Sequence, residues 1–286
     1  MFDNNKEQIE TNFYKIQDNE LTPLDYGTKT IAETSDYTPL GAYTTFRTYD
    51  HYGVLGLAKH MDRLEETSRL AGHSIRLNRS ELKKALTGIL SSDQTMEKRV
   101  RITIDLEHEI GTIYIASEPL SVPAPEKYQE GIVCKTAEAH RDNPKAKLSN
   151  FLSRAEGIRE KEEGVFDEIL MYTADGDLLE GLSSNFYGII GETIYNAEEG
   201  VLSGTTRNFI LKIASEIGLP VKFEPVSLSA IDELDEAFIS STSRAVLPIR
   251  SIDGIEMRKE VPGPLTKQLM EKFDEELASQ IEKVYD

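Results

Sequence analysis

Two kinds of apolar spacing run along the chain. Residues Gly41 to Tyr49 alternate with the period of a strand, Tyr52-Gly53 turns it, and Val54, Leu55 and Leu57 make a returning strand. From Lys59 to Ala71 the period becomes helical, with Met61, Leu64 and Leu70 on one face and Gly72 at the end. Arg63 falls between two of those apolar positions, so its charge either snorkels to water or is aimed at an anion. Ser80 reads as the cap of a second helix with Leu82, Ala85, Leu86, Ile89 and Leu90 inside. Arg99 to Leu106 is a strict alternation: Val100, Ile102, Ile104 and Leu106 on one face, Arg99, Arg101, Thr103 and Asp105 on the other. A strand over Thr112–Ala116 follows Gly111. Residues 1 to about 35 are weakly periodic and read as an irregular arm with a short strand near Phe13.

Pro123 and Pro125 sit two apart in a polar stretch, which suits neither a central strand nor a helix interior. The boundary expected there separates two α/β domains, 1–122 and 123–286, with no internal repeat. The second opens with a strand over Gly131–Thr136 and a polar loop, Arg141-Asp142-Asn143-Pro144. A helix follows over Phe151–Lys161. Phe166 to Thr173 is a strand, Asp175-Gly176 is a tight hairpin signal, and Leu178-Leu179 returns. That return delivers Glu180 into Gly181-Leu182-Ser183-Ser184-Asn185. Strands follow over Phe186–Ile190 and Thr193–Tyr195. A helix begins near Leu202–Arg207 with Phe209, Ile210, Ile213 and Ile217 on its apolar face, and Gly218-Leu219-Pro220 stops it. Strands over Val221–Phe223 and Glu236–Ile239 flank a short helix near Ser229–Leu234. A last helix, Leu265 to Tyr285, carries Leu265, Leu269, Phe273, Leu277 and Ile281 at spacing four, a stripe for core or dimer packing.

Charge removes several classes of partner. A formal net charge of −18 repels nucleic-acid phosphates, and no basic stretch compensates. One cysteine, Cys134, allows no internal disulfide and suits a reducing compartment. No apolar run is long enough to span a membrane, and Met1-Phe2-Asp3-Asn4-Asn5-Lys6 does not read as a signal peptide, so a cytoplasmic protein with no membrane partner is expected. The histidines His51, His60, His73, His108 and His140 are scattered, and neither a Cys pair nor His-Glu-x-x-His is present, so no metal is expected.

The chemistry-bearing residues converge. Ser203-Gly204-Thr205-Thr206 opens a helix, where free N–H groups and the helix dipole favour an anion such as phosphate. The hydroxyl cluster Ser240-Ser241-Thr242-Ser243 follows an apolar strand and can complete a phosphate cup, with Arg63 supplying charge. Lys147 offers an amine on the approach to a helix, and Glu180 a carboxylate. A cup, an amine and a carboxylate are what pyridoxal 5'-phosphate requires.

The ordered motifs carry a family likeness. They are Gly-x-Tyr-x-x-x-Arg at Gly41–Arg47, His-x-x-Arg-Leu at His60–Leu64, Lys-x-x-Asn at Lys147–Asn150 and the Glu-Gly segment at Glu180–Tyr187. Leu-x-Gly-x-x-Arg at Leu202–Arg207 and Asp-Glu-x-Phe-x-x-Ser-Thr-Ser at Asp235–Ser243 complete the series, with Pro248 beyond. The chain resembles the class IV, fold type IV pyridoxal-phosphate enzymes: branched-chain and D-amino-acid aminotransferases and aminodeoxychorismate lyases. The resemblance runs from about residue 36 to 255. It implies a two-domain α/β (α+β) fold with a pseudo-barrel second domain, a cofactor site between the domains, and a homodimer. It also implies that Lys147 is the Schiff-base lysine and proton shuttle, with Asn150 setting the register on Lys147 rather than Lys145. Glu180 becomes the ring-nitrogen partner. Arg63, the backbone at Thr205 and Thr206, and Thr242 become phosphate ligands, with Ser241 and Ser243 as further candidates. Tyr43, Thr45 and Arg101 face the substrate, Arg101 as a grip for a carboxylate.

Departures from the pattern leave the substrate open. Branched-chain enzymes usually place one more residue between lysine and asparagine and then a tyrosine, where Phe151 stands. Aminotransferases tend to carry a glutamate at the position of Thr44, while Tyr43-Thr44-Thr45-Phe46-Arg47 resembles the lyase pattern. The strand from Arg101 to Leu106 lacks the Arg-Gly loop of lyases and D-amino-acid enzymes. Three activities are expected in order: transamination between an amino acid and a 2-keto acid, elimination of pyruvate from aminodeoxychorismate with Thr45 assisting, and cofactor binding without turnover.

Overall fold

The computed structural model describes residues 11–18, 20–91 and 97–285. The Met1–Lys6 stretch and the opening of the expected arm lie outside the described residues. The chain forms two compact units. One contains the described residues up to Ser121, then Lys147–Leu152 and those from Ile281 onward; the other contains Val122–Ala146 and Ser153–Gln280. Two late segments thus return to the first unit, which a single boundary near 122 does not provide for.

The first unit is built on an antiparallel sheet. Its strands are β1 (Asn12–Gln17), β2 (Glu20–Pro23), β3 (Gly41–Arg47), β5 (Lys98–Asp105) and β6 (Ile113–Pro119), in the order β2-β1-β6-β5-β3. The expected irregular arm is therefore a hairpin, with Tyr14 opposite Pro23 and Asn12 opposite Ser117. A short strand, β4 (Gly53–Leu55), precedes helices α1 (Leu57–Leu70) and α2 (Arg79–Ser91). Gly56 adopts φ +63°, a left-handed turn, so Leu57 opens α1 rather than closing a strand. β4 pairs with the closing strand Ile281–Lys283, which is why the C-terminus belongs to this unit. Asn78 rather than Ser80 caps α2, its Oδ1 accepting from the Glu81 N–H at 3.4 Å.

The alternation in β5 sorts its faces as expected. Val100, Ile102 and Ile104 join Met61, Leu64, Leu82 and Leu86 in one core. The opposite face is buried as well, because the segment after β2 covers it: Arg101 donates to the Ile31 carbonyl at 3.0 Å, and Glu118 accepts from the Ile31 N–H at 2.7 Å.

The second unit opens with α3 (Pro125–Glu130) and β7 (Ile132–Glu138), and helix α4 (Asn150–Lys161) leads toward β8 (Glu168–Tyr172). Then come β9 (Asp177–Gly181), β10 (Ser184–Ile190), β11 (Thr193–Tyr195), α5 (Thr205–Glu216), β12 (Val221–Lys222) and β13 (Val226–Ser227). The last elements are β14 (Glu236–Ser241), β15 (Ala245–Ile252), β16 (Ile255–Glu256) and α6 (Pro264–Leu277). Strands β10, β14, β15, β7, β8 and β9 pair in turn, and β9 pairs back to β10, so the sheet closes on itself and hides its edges. Ile132, Leu170, Phe186, Ile239, Leu247 and Ile249 share a core cluster.

Two local outcomes differ from expectation. No strand is predicted over Ala245–Ile252; β15 there pairs with β14 and then with β7, with a register shift between Ile249 and Ser251 against β7. The long last helix stops at Leu277 although its spacing-four stripe continues, because Ile281 is held in strand pairing opposite Leu55. Leu269 and Phe273 alone of that stripe are fully buried, and Phe273 packs on Phe209 of α5 at 5.1 Å. Among the described residues, no helix is long and apolar enough to cross a membrane.

At the end of β5 the buried Asp105 carboxylate accepts from the N–H groups of Glu107, His108 and Glu109 at 2.8, 2.9 and 2.8 Å. Burial pushes its carboxyl up, but these donors outweigh that and hold it below the usual value. Replacing it by Asn should cost about 1–3 kcal/mol at neutral pH. Because the folded-state value is the lower one, the difference from wild type should persist above pH ~4 and fade as pH drops below it. Denaturant titrations of both proteins at several pH values check this.

Candidate active site

In the second unit, the turn at Gly176 (φ +84°) folds β8 back into β9, and β9 carries Glu180 inward. Glu180 is 2% exposed. Its Oε1 accepts from Arg141 Nε at 2.6 Å, and its Oε2 accepts from Asn185 Nδ2 at 3.0 Å and the Leu202 N–H at 3.1 Å. Asn185 is the cross-strand neighbour of Glu180 and also donates to the Leu202 carbonyl at 2.8 Å. Leu202 is thereby gripped through both its backbone groups, and α5 begins three residues later, at Thr205. Gly204 is required there: a Cβ would lie 2.4 Å from Asn185 Oδ1. The carboxylate and the start of α5 thus form one locked assembly.

The first residues of α5, Thr205 and Thr206, are buried, and no side chain caps the helix. Thr205 Oγ1 is buried with no hydrogen-bond partner, which in a folded protein asks for a ligand. Further along the Leu-x-Gly-x-x-Arg motif, Arg207 is turned away to Asn196 Oδ1 at 2.6 Å and the Ala197 carbonyl at 3.1 Å, a structural role. Ser240 pairs across the sheet with Asn185, while Ser241, Thr242 and Ser243 are half-buried at the β14–β15 turn. The Ser241 hydroxyl accepts from Arg244 Nε at 3.0 Å.

In the first unit, Lys147 sits along the outer edge of β3. Its carbonyl accepts from the Tyr43 N–H at 2.9 Å, its N–H donates to Thr67 Oγ1 at 3.2 Å, and Leu148 bridges to Ala42. Lys147 Nζ lies 5.0 Å from the centre of the Tyr43 ring, and the Arg101 guanidinium lies 5.7 Å from the same ring. Thr45 pairs with Arg101 across the ladder. The structure therefore brings Lys147, Tyr43, Thr45 and Arg101 together; Lys145 is exposed. Arg101 is 7% exposed, and its Nη1 donates to the Ile31 carbonyl and to Ser35 Oγ at 3.0 and 2.9 Å. Its Nε is buried without a partner, and burial pushes the guanidinium down to about 10, which still leaves it a cation at neutral pH.

Arg63 is half-buried on α1, one turn beyond His60. His60 is buried, with Nδ1 2.7 Å from Thr44 Oγ1. Burial first, and then the charges of Arg63 and Lys147, hold its imidazole well below the usual histidine value. Thr44 consequently faces α1, opposite to Tyr43 and Thr45.

Known proteins decide the family. The family model described as amino-transferase class IV matches residues 41–252, more than half of the chain. The chain belongs to the class IV aminotransferases. Among curated relatives, a probable branched-chain-amino-acid aminotransferase of Thermotoga maritima is 29% identical over 238 residues, covering 81% of this chain and 84% of the relative. A D-alanine aminotransferase of Bacillus licheniformis is 29% identical over 258 residues, covering 85% and 89%. Among solved structures, the branched-chain amino acid aminotransferase of Escherichia coli superposes with a TM-score of 0.77 at 20% identity, covering 96% of this chain and all (100%) of that one. The expected fold type IV architecture is therefore the observed one. This class IV aminotransferase is a pyridoxal-phosphate-dependent transaminase, and its substrates are an amino acid and a 2-keto acid.

The residues fit the cofactor: a buried carboxylate, a helix start with an orphaned hydroxyl, and an amine beside an aromatic ring. Sequence patterning passes over Arg141 and Asn185 as partners of Glu180. Asn185 has a signal, since a tight turn over Leu182-Ser183 sets it opposite Glu180; Arg141 lies in a polar loop with none. Because removing one member of a buried ion pair strands the other, Arg141→Met should destabilise the second unit by about 3–5 kcal/mol. Adding Glu180→Gln should recover part of that loss, as read by chemical denaturation of the single and double variants.

Proposed function

We propose that Lys147, Glu180 and the α5 N-terminus serve one pyridoxal phosphate in an aminotransferase acting on an α-amino acid. The observation that carries this reading is Glu180, an acidic side chain buried to 2% exposure and fixed by three donors beside a helix start whose Thr205 hydroxyl lacks a partner. Pyridoxal phosphate supplies a carbonyl that exchanges amines and a ring that holds electrons. Lys147 Nζ takes the α-proton of the substrate and returns it at the far end of the transfer. Glu180 accepts a hydrogen bond from the protonated ring nitrogen, and Arg141 fixes the direction in which it does so. Thr205 and Thr206 donate backbone N–H groups to the phosphate, and Arg63, Thr242 and Ser241 add charge and hydroxyls.

Arg101 supplies the counter-charge for a substrate carboxylate over the Tyr43 and Thr45 face. Its second role, holding Ile31 and Ser35, keeps the guanidinium from swinging away. The relatives named for branched-chain amino acids and for D-alanine support an amino-acid substrate. A second activity, pyruvate elimination with Thr45 assisting, is supported by a 24% identical aminodeoxychorismate lyase of Bacillus subtilis that aligns over 94% of each chain. We assign the enzyme to the cytoplasm and to a homodimer, the latter read by light scattering.

The loaded enzyme should absorb visible light, and Lys147→Ala should lose that band. Single L- or D-amino acids should convert the band to that of the aminated cofactor, and the panel identifies hand and size. Arg101→Met should raise KM for the accepted amino acid by roughly tenfold or more, the loss of one charge-assisted contact. No conversion by any amino acid, with pyruvate released from aminodeoxychorismate, would replace transaminase by lyase.

A further inference from the structure

A second buried carboxylate in the same unit as Glu180 has no part in the reaction as derived above. Glu168, the first residue of β8, is 0% exposed. It accepts from Arg244 Nη2 at 2.9 Å, Arg159 Nη2 at 3.3 Å, and the hydroxyls of Ser183 and Ser184 at 2.9 and 3.0 Å. Burial alone would push its carboxyl up, but Arg244, Arg159 and the Ser183 hydroxyl outweigh it and hold it below the usual carboxylate value. Space for the cluster comes from Gly181, where a Cβ would lie 2.2 Å from Ser184 Oγ and 3.1 Å from the Glu168 carboxyl.

Arg244 spreads this anchor to two loops. It donates to the Ser183 carbonyl at 3.0 Å and hydroxyl at 2.7 Å, in the turn that follows Glu180 and Gly181. Its Nε donates to Ser241 Oγ at 3.0 Å, and its backbone N–H to the Ser241 carbonyl at 3.3 Å. The turn from Ser241 to Arg244 is therefore held from its far end by an ion pair with no access to water at the carboxylate. A guanidinium only donates, so its bond to the Ser241 oxygen leaves the Ser241 O–H proton directed at another acceptor. A stability role alone gives no reason for this linkage, since buried ion pairs are often no better than apolar packing.

We propose that Glu168 is a positioning residue for the phosphate end of the cofactor, acting through Arg244 to fix the turn that presents Ser241 and Thr242. This rests on the assignment of that turn to the phosphate cup. Pyridoxal, which lacks the phosphate, then becomes the internal control. Equilibrium dialysis of the cofactor-free protein measures Kd for pyridoxal phosphate and for pyridoxal. Glu168→Gln should weaken pyridoxal phosphate by about tenfold and leave pyridoxal unchanged. Arg244→Lys, which keeps a charge facing Glu168 but loses the fork that reaches Ser241 and Ser183, should show the same selectivity and decides the matter if Glu168→Gln does not fold. Equal weakening of both ligands, with a lower melting temperature of the cofactor-free protein, or no change in either, overturns the positioning role. Unaltered protein that binds neither ligand brings down the cofactor assignment itself, and the role of Glu168 with it.

Discussion

A carboxylate taken out of water must be met by donors, and Glu180 is met three ways at once. Arg141 brings charge, Asn185 a side-chain amide and Leu202 a backbone N–H. The consequence reaches past Glu180. Since Asn185 holds Leu202 by its carbonyl as well, and Gly204 lies against Asn185, the position of α5 is tied to the carboxylate rather than to loose loop packing. The placement of the Glu180 carboxylate and that of α5 become one constraint.

In the first unit, cationic side chains gather around one aromatic ring. Lys147 and Arg101 both lie against the Tyr43 ring, whose electron-rich face tolerates them at low cost. Burial first, and then the charges of Arg63 and Lys147, keep His60 neutral, so it adds no further positive charge. Its bond to Thr44 joins α1 to β3, the two elements that hold Lys147 through Thr67 and Tyr43.

Much of this is legible in the residues. Period and turn chemistry locate β3, α1, β5, the β8–β9 hairpin and α5, because each carries an apolar period of its own and α1, the hairpin and α5 meet a glycine at their turn or end. The failures share a physical origin. β15 is missed although Pro248 lies within it, opposite Phe238 of β14, and its register against β7 shifts between Ile249 and Ser251, which no local rule predicts. The stripe of the last helix runs on past the helix itself, because spacing four satisfies a helix and does not forbid a strand. Only pairing with β4, more than two hundred residues earlier, ends it. Among the residues proposed for the site, Lys147, Glu180 and Thr205 are singled out by their sequence context. Arg141 and Glu168 are not, since a buried counter-charge is recognisable only once its partner's burial is known.

That asymmetry bears on how substrate choice is encoded. Thr44 departs from the aminotransferase pattern, which marks it as informative, yet it is 0% exposed and committed to His60. Strand period places the informative positions one residue to either side, at Tyr43 and Thr45, with Arg101 opposite Thr45. Arg101 adds a coupling of its own, since the guanidinium that faces these residues also holds Ile31 and Ser35. A change of substrate that draws on Arg101 must therefore be felt in the segment that covers the sheet, and changes in that segment must be felt at Arg101. On the proposed substrate role of Arg101, specificity is a property of a strand face and its cover together.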